Sequence, residues 1–223
     1  MPKKIFIIAI FLSLGLVFCR DVLVSAEVDN DVREFLKDLE EAINEMDTYS
    51  CIMVTESWRG KLYEKRIVRF SFKKPNLMRT DVLEGKKRGS SVVLNKKGKV
   101  RGRSAWGFLD TLRHTDKRLK NLRGATFMNS SMLDKLERLR EHIFKRGCEA
   151  ELDEEEYADR EVYHLRIRHK DEDDSITLED LWYDEETYTI LKNTKYEGKD
   201  KAADTAWQEF EVNIPLDDSL FEL

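Results

Sequence analysis

The order of the predicted helices and strands limits the fold more than any single motif. Apolar residues recur at three- and four-residue spacing over residues 30–46 and 132–145, which predicts two amphipathic helices. The predicted strands cover residues 49–58, 62–72, 77–83, 90–95, 149–157, 161–169, 175–183, 187–196 and 204–213. Strands and helices do not alternate, so a parallel nucleotide-binding sheet is excluded. The pattern predicts a mainly β fold of the α+β class, a single curved antiparallel sheet carrying a few helices.

The amino terminus has the pattern of a secretory signal. Lys3 and Lys4 precede the apolar run Ile5–Phe18, which is too short for a typical membrane-spanning helix. Val24-Ser25-Ala26 supplies small or β-branched residues where a signal peptidase reads. We expect cleavage after Ala26, which leaves residues 27–223 as one exported domain, periplasmic or otherwise extracytoplasmic. Charged residues make up 37% of the chain, which excludes a multi-span membrane protein.

Two alternatives to cleavage remain at the amino terminus, and both also place the domain outside the cytoplasm. Val22-Leu23-Val24 extends the apolar run, so the segment could stay as an uncleaved anchor. Cys19 could be lipidated, although Phe18 before it is large for a lipoprotein site. Cleavage after Ala26 removes Cys19, so Cys51 and Cys148 remain in an oxidising compartment, which favours a disulfide between them. The alternative is two separately buried thiols.

Motifs for catalysis and metal binding are absent from the sequence. No G-x-S-x-G, zinc-binding H-x-x-x-H or phosphate-cradling loop occurs. The four histidines are His114, His142, His164 and His169, and we interpret them as solvated side chains. The sequence therefore predicts no enzyme, no cofactor and no metal.

Residues 96–123 form a basic segment without a regular pattern. Among its cations are Arg101, Arg103, Arg113, Lys117 and Arg118. An exported protein seldom meets nucleic acid, so an anionic membrane surface or lipid headgroup is the expected partner. The alternative is a solvated loop whose charge is balanced by the acidic stretch 149–159.

Several ordered phrases resemble the outer-membrane lipoprotein carrier family, whose members are called LolA-like. The first is Phe72-Lys73-Lys74-Pro75-Asn76-Leu77-Met78-Arg79, where one strand ends and another begins. Val92–Leu94 followed by Lys97-Gly98-Lys99 is similar to the family's next strand and turn. Leu181–Asp184 with Tyr188–Lys192, and the closing run Phe210–Phe221, continue the resemblance over most of residues 30–223.

The resemblance implies an incompletely closed antiparallel β-barrel whose covering helices enclose an apolar cavity for acyl chains. We expect a non-enzymatic lipid- or lipoprotein-binding protein of the sorting type, monomeric, with acyl chains as ligand. The alternative is a signalling or assembly module that binds an envelope protein through the same fold. Because strand faces and helix stripes must bury each other, we expect eleven residues to line the cavity. They are Phe35, Leu39, Phe70, Phe72, Met78, Val82, Leu133, Leu136, Leu165, Ile167 and Trp182.

Overall fold

Eleven strands form one sheet in the computed structural model, which describes residues 28–170 and 175–223. The strands are β1 (Thr48–Arg59), β2 (Leu62–Lys73), β3 (Leu77–Gly85), β4 (Ser91–Leu94), β5 (Val100–Arg103), β6 (Leu109–Leu112), β7 (Glu149–Glu156), β8 (Glu161–Arg168), β9 (Leu178–Asp184), β10 (Ile190–Glu197) and β11 (Asp200–Val212). Two α-helices, α1 (Asn30–Glu45) and α2 (Met132–Arg140), accompany them. None of the helices in these ranges is long and apolar enough to cross a membrane. The predicted signal segment and its cleavage site lie outside the described residues.

The sheet is antiparallel throughout and open. Its strand order is β6-β5-β4-β3-β2-β1-β11-β10-β9-β8-β7. Two meanders, β1 to β6 and β7 to β11, are joined by the pairing of β1 with β11, where Met53 lies opposite Trp207. Strands β6 and β7 form the two edges, so the barrel does not close. The predicted curved antiparallel sheet with covering helices is confirmed.

The two helices begin where their sequences supply caps. The Asp29 carboxylate accepts a hydrogen bond from the Asp31 backbone at the start of α1. The Ser131 hydroxyl accepts one from the Asp134 backbone at the start of α2. Both helices pack their buried stripes against the concave face of the sheet. The carboxyl-terminal tail packs on the opposite, convex face, where Arg79 Nη1 donates to the Leu220 carbonyl at 2.8 Å.

The core lies between α1, α2 and the concave face. Phe35 is its centre, with its ring 5.3 Å from that of Tyr163 and 5.4 Å from that of Tyr183 in edge-to-face arrangements. Leu165 and Leu181, paired across β8 and β9, are fully buried beneath it. This half of the concave face is therefore filled by side chains.

The structure differs from the sequence-based expectation in three places. The basic segment 96–123 is not wholly irregular, because it contains β5 and β6. The second helix ends at Arg140 and continues as a π-helical turn, Glu141–Lys145. The strand expected over 187–196 begins only at Ile190, since Tyr188 takes a positive φ in the preceding turn.

Candidate functional site

A cavity of about 440 Å³ lies on the concave face of the sheet. Its floor is formed by β1, β2, β3, β10 and β11. Its walls come from α2 and from the segment 118–130, which crosses this part of the sheet. The volume falls within the range of small-molecule sites.

The floor of the cavity changes from apolar to polar along the strands. On β2 the concave side chains run from Phe70 and Val68 to Arg66 and Glu64, because alternate residues share a face. On β1 they run from Met53 through Thr55 to Ser57, and on β11 from Trp207 to Thr205. Strand pairing aligns these three series, so one end of the cavity is apolar and the other is polar.

Positive charge dominates the lining of the cavity. Seven basic residues line it, against one carboxylate, Glu64. The basic residues are Arg66, Lys87, Arg118, Arg123, Lys135, Arg138 and Lys195. Such an excess of one sign around an enclosed space attracts an anion.

Part of the polar lining is satisfied by the protein itself. Glu64 accepts from Arg66 Nη2 at 2.7 Å and from the Leu122 backbone at 2.7 Å. Arg123 Nη1 donates to the Trp58 carbonyl at 2.8 Å. Two buried polar atoms of the lining, Arg66 Nε and Thr80 Oγ1, have no hydrogen-bond partner among the residues that the structure describes. They supply hydrogen-bonding capacity that a ligand could use.

Lys135 is a buried cation on the helical wall of the cavity. Its Nζ lies 3.5 Å from Asn193 Oδ1 and 4.7 Å from the centre of the Trp207 ring. Burial lowers the pKa of Lys135 to about 7, and the negative charge of Glu179 opposes this shift only in part. The side chain therefore titrates close to neutral pH.

Glu179 supplies negative charge close to Lys135. Burial alone would raise its pKa, but the positive charge of Lys195, the neighbouring His169 ring and the charge of Lys135 hold the pKa well below its usual range. Lys195 Nζ lies 3.1 Å from Glu179 Oε2. One buried carboxylate thus faces two cations.

Only two of the eleven residues expected to line the cavity do so, Phe70 and Val82. Seven others are buried in the core: Phe35, Leu39, Phe72, Met78, Leu136, Leu165 and Ile167. Leu133 is 44% exposed, because α2 turns Lys135 instead of Leu133 toward the sheet. Trp182 belongs to the convex face, where its ring stacks on that of His164 at 4.5 Å.

The basic segment contributes to the cavity through only some of its predicted cations. Arg118 lines the cavity and is held by Asp110 and Asp116, each at 2.8 Å. Arg101 and Arg103 lie on the convex face, since Arg101 pairs with Val93 and Arg103 with Ser91 on the face of Arg79 and Asp81. Arg113 and Lys117 are exposed and do not line it.

A second cavity of about 500 Å³ lies on the convex face under the carboxyl-terminal tail. Two of its polar residues are paired with each other, because Arg79 donates twice to Asp81 at 2.7 and 2.8 Å. The hydroxyl of Ser91 donates to the same carboxylate at 2.6 Å. We place the candidate site on the concave face, where seven basic residues and one carboxylate line the cavity.

Cysteines and histidines depart from the prediction. Cys51 and Cys148 are buried free thiols, so the predicted disulfide is absent from the structure. Cys51 lies on β1 opposite Phe70, whereas Cys148 lies beside β7 at the far edge of the sheet. The interpretation of the histidines as solvated is wrong for His164, which is buried and lies 3.1 Å from Asp180 Oδ1. It is also wrong for His169, whose ring is nearly inaccessible.

Sequence reasoning missed the polar lining of the cavity. One signal was available: Lys135 falls between Met132 and Leu139 at the spacing of the buried stripe of α2. A lysine at such a position is either buried or at a boundary. Arg66 offered no signal, because alternating basic and apolar residues on β2 are equally typical of a solvated strand face.

Comparisons with known proteins give the fold. No family model and no curated protein matches the chain. Among solved structures, an uncharacterized conserved protein from Thermus thermophilus is similar with a TM-score of 0.55 and 12% identity, over 86% of this chain and 93% of that one. The Mycobacterium tuberculosis lipoprotein LppX gives 0.48 at 9% identity, over 85% and 100% of the two chains. A LolA superfamily protein from Nitrosomonas europaea gives 0.42 at 11%, over 86% and 97%. At 12% identity, the comparison with the Thermus thermophilus protein shows a shared fold and nothing beyond the fold.

Proposed function

We propose that this protein is a non-enzymatic, exported binding protein for an anionic lipid, with one acyl chain in the cavity of the concave face. The observation that carries the proposal is the gradient of the cavity floor, from apolar side chains to polar ones that include the guanidinium of Arg66. The volume, about 440 Å³, is near the lower end for small-molecule sites, which favours a single chain. The predicted export signal supports a role outside the cytoplasm.

The gradient fixes the direction in which such a ligand would lie. The acyl chain would contact Met53, Val68 and Phe70, where its burial is driven by the hydrophobic effect at roughly 25 cal/mol per Å². The carboxylate or phosphate would lie toward Arg66. A guanidinium group binds such anions well, because its planar fork of N–H donors matches their oxygens.

The route into the cavity would begin at a membrane surface. The turn between β5 and β6 carries Trp106 and Phe108, which are 88% and 77% exposed. This turn contacts the β3–β4 turn, because a side chain at Gly89 would touch Ala105. Lys87 of that turn lines the cationic end of the cavity. Exposed aromatics beside cations are typical of contact with an anionic lipid surface.

The experiment is a titration of the purified protein with a fluorescent fatty acid, followed by displacement with unlabelled lipid. We expect one site per chain. Arg66→Gln should weaken binding about 10-fold, as for the loss of a charged hydrogen bond. Arg69→Gln is the matched control, since Arg69 lies on the same strand but lines the convex face.

A fatty alcohol of the same chain length tests the anion directly. It should bind wild type more weakly than the fatty acid does, and it should bind the Arg66→Gln variant and wild type about equally. Equal binding of acid and alcohol to wild type would contradict the proposal, and so would equal losses in the two arginine variants.

A further inference from the structure

Two histidines and a cysteine meet beside the far end of α2. The Nδ1 atoms of His142 and His169 are 3.0 Å apart. One ligand atom from each of His142, Cys148 and His169 lies within 4.8 Å of the other two. Within residues 28–170 and 175–223 this is the one such group of three or more His, Cys, Asp or Glu side chains.

The backbone holds these three residues in place from separate elements. His142 lies in the π-helical turn after α2, and Cys148 follows that turn, where its backbone N–H donates to the His142 carbonyl at 3.0 Å. His169 follows β8, and its backbone N–H donates to the Thr177 carbonyl at 3.0 Å. The cluster therefore joins the end of α2 to the edge of the sheet.

We propose that His142, Cys148 and His169 form a binding site for a single transition-metal ion, with Zn²⁺ as the expected occupant. A tetrahedral zinc ion with bonds of about 2.0 Å to nitrogen and 2.3 Å to sulfur holds two nitrogens about 3.3 Å apart. It holds a nitrogen and a sulfur about 3.6 Å apart. The three side chains approach this arrangement already, and one coordination position is left for water.

A neighbouring carboxylate supports the orientation of one ligand. Glu179 Oε2 lies 3.7 Å from His169 Nε2. Metal-bound histidines usually donate their other ring N–H to such a group, which fixes the tautomer and turns the remaining lone pair toward the metal. With Nε2–H toward Glu179, the lone pair of His169 Nδ1 points to the space it shares with His142.

Binding at this site is a ligand exchange in which no redox step occurs. Zn²⁺ gives up bound water, the Cys148 thiol loses its proton to solvent, and the thiolate and two neutral imidazoles complete the coordination. The ion would connect α2, which carries Lys135 and Arg138 of the cavity, to the strands β7 and β8.

The experiment uses the full exported chain, stripped with a chelator and titrated with Co²⁺ and then Zn²⁺. Co²⁺ should bind at one equivalent and give a thiolate-to-cobalt charge-transfer band in the near ultraviolet, and Zn²⁺ should displace it. Cys148→Ser should abolish the band. His169→Asn and Glu179→Gln should weaken binding about 10- to 100-fold.

Matched controls separate this site from other thiols and imidazoles. Cys51→Ser removes the other buried thiol, and His114→Asn removes an exposed histidine; both should leave the band unchanged. X-ray absorption of the wild-type zinc form does not depend on any variant folding. It should show one sulfur and two imidazole nitrogens. Absence of the charge-transfer band, its survival in Cys148→Ser, or a shell without sulfur would overturn the proposal.

Discussion

The concave face has two halves: the half under α1 is filled by side chains, and the half beside it contains a cavity. Under α1, side chains such as Phe35, Leu165 and Tyr183 fill the space between helix and sheet. Beside it, the positions that face the same way are Thr55, Thr205 and other polar residues, and a cavity remains. Helix α1 and the buried stripe of α2 cover the first half. Only the edge of α2 and an extended segment cover the second.

Helix α2 belongs to both halves, which shows how the difference arises. Leu136 and Leu139 are buried in the core, while Lys135 and Arg138 line the cavity. The same sheet therefore carries a packed core where a helix stripe meets it and a cavity where charged side chains do. The predictions below separate these two contributions.

Removing the central aromatic of the filled half should have the largest effect. Phe35→Ala removes a ring that packs against Tyr163 and Tyr183, so the free energy of unfolding should fall by ~3–5 kcal/mol. Phe127→Ala, on the wall of the cavity, should cost less than ~1.5 kcal/mol, because its ring is only partly buried. Urea unfolding of both variants measures the difference. Equal losses would mean that the two halves are packed alike.

Replacing the buried lysine of the cavity half should stabilise the protein. The pKa of Lys135 is about 7 in the folded state, below the pKa of a lysine in the unfolded chain. At pH values between these two pKa values, the unfolded chain keeps a proton that the folded chain has lost. Wild-type stability should therefore rise with pH above 7. The free energy of unfolding of Lys135→Met should exceed that of wild type by ~2–4 kcal/mol at pH 6, and this difference should disappear toward pH 10.

Chemical denaturation of both proteins at a series of pH values measures this difference in stability. Glu179, Lys195 and Arg138, the charged residues around Lys135, are the same in both proteins. A constant difference between wild type and Lys135→Met across that range would contradict the assignment of a shifted pKa to this residue.

Ligand affinity should follow the same titration. Lys135 carries its charge below about pH 7 and loses it above, so a fatty acid should bind wild type up to ~10-fold more tightly at pH 6 than at pH 8. Lys135→Met should bind with little pH dependence over this range. Displacement titrations at the two pH values measure both. A pH dependence of equal size in the variant would assign it to another group.

The exposed turn between β5 and β6 should give the smallest effect. Trp106→Ala with Phe108→Ala should weaken binding to anionic vesicles about threefold, because two interfacial aromatics are lost. Leu133→Ala is the control: Leu133 is also exposed, but α2 begins at Met132 beside Tyr49, at the opposite end of the sheet. Vesicle co-sedimentation measures the binding of both variants. Equal losses of binding would show that this turn does not contact the membrane.

Sequence periodicity predicted the fold better than the site, and the reasons are physical. Alternation along β2 and the stripe of α1 each reflect burial on one face, which local patterning records. The cavity depends on which partner covers each face, and that is set by pairings distant in the chain, such as Thr55 with Thr205. The His142–His169 contact joins residues 27 positions apart, and no local spacing marks it. The predicted disulfide failed because cysteine counting carries no geometry.

Native mass spectrometry of the gently purified protein tests the lipid-binding role most directly. The wild type should carry one anionic lipid per chain. Thr205→Phe fills the cavity, so this variant should be detected without bound lipid. Gln208→Phe, on the convex face of the same strand, should keep the lipid. A wild-type chain without lipid, or the same lipid on both variants, would contradict a lipid site on the concave face.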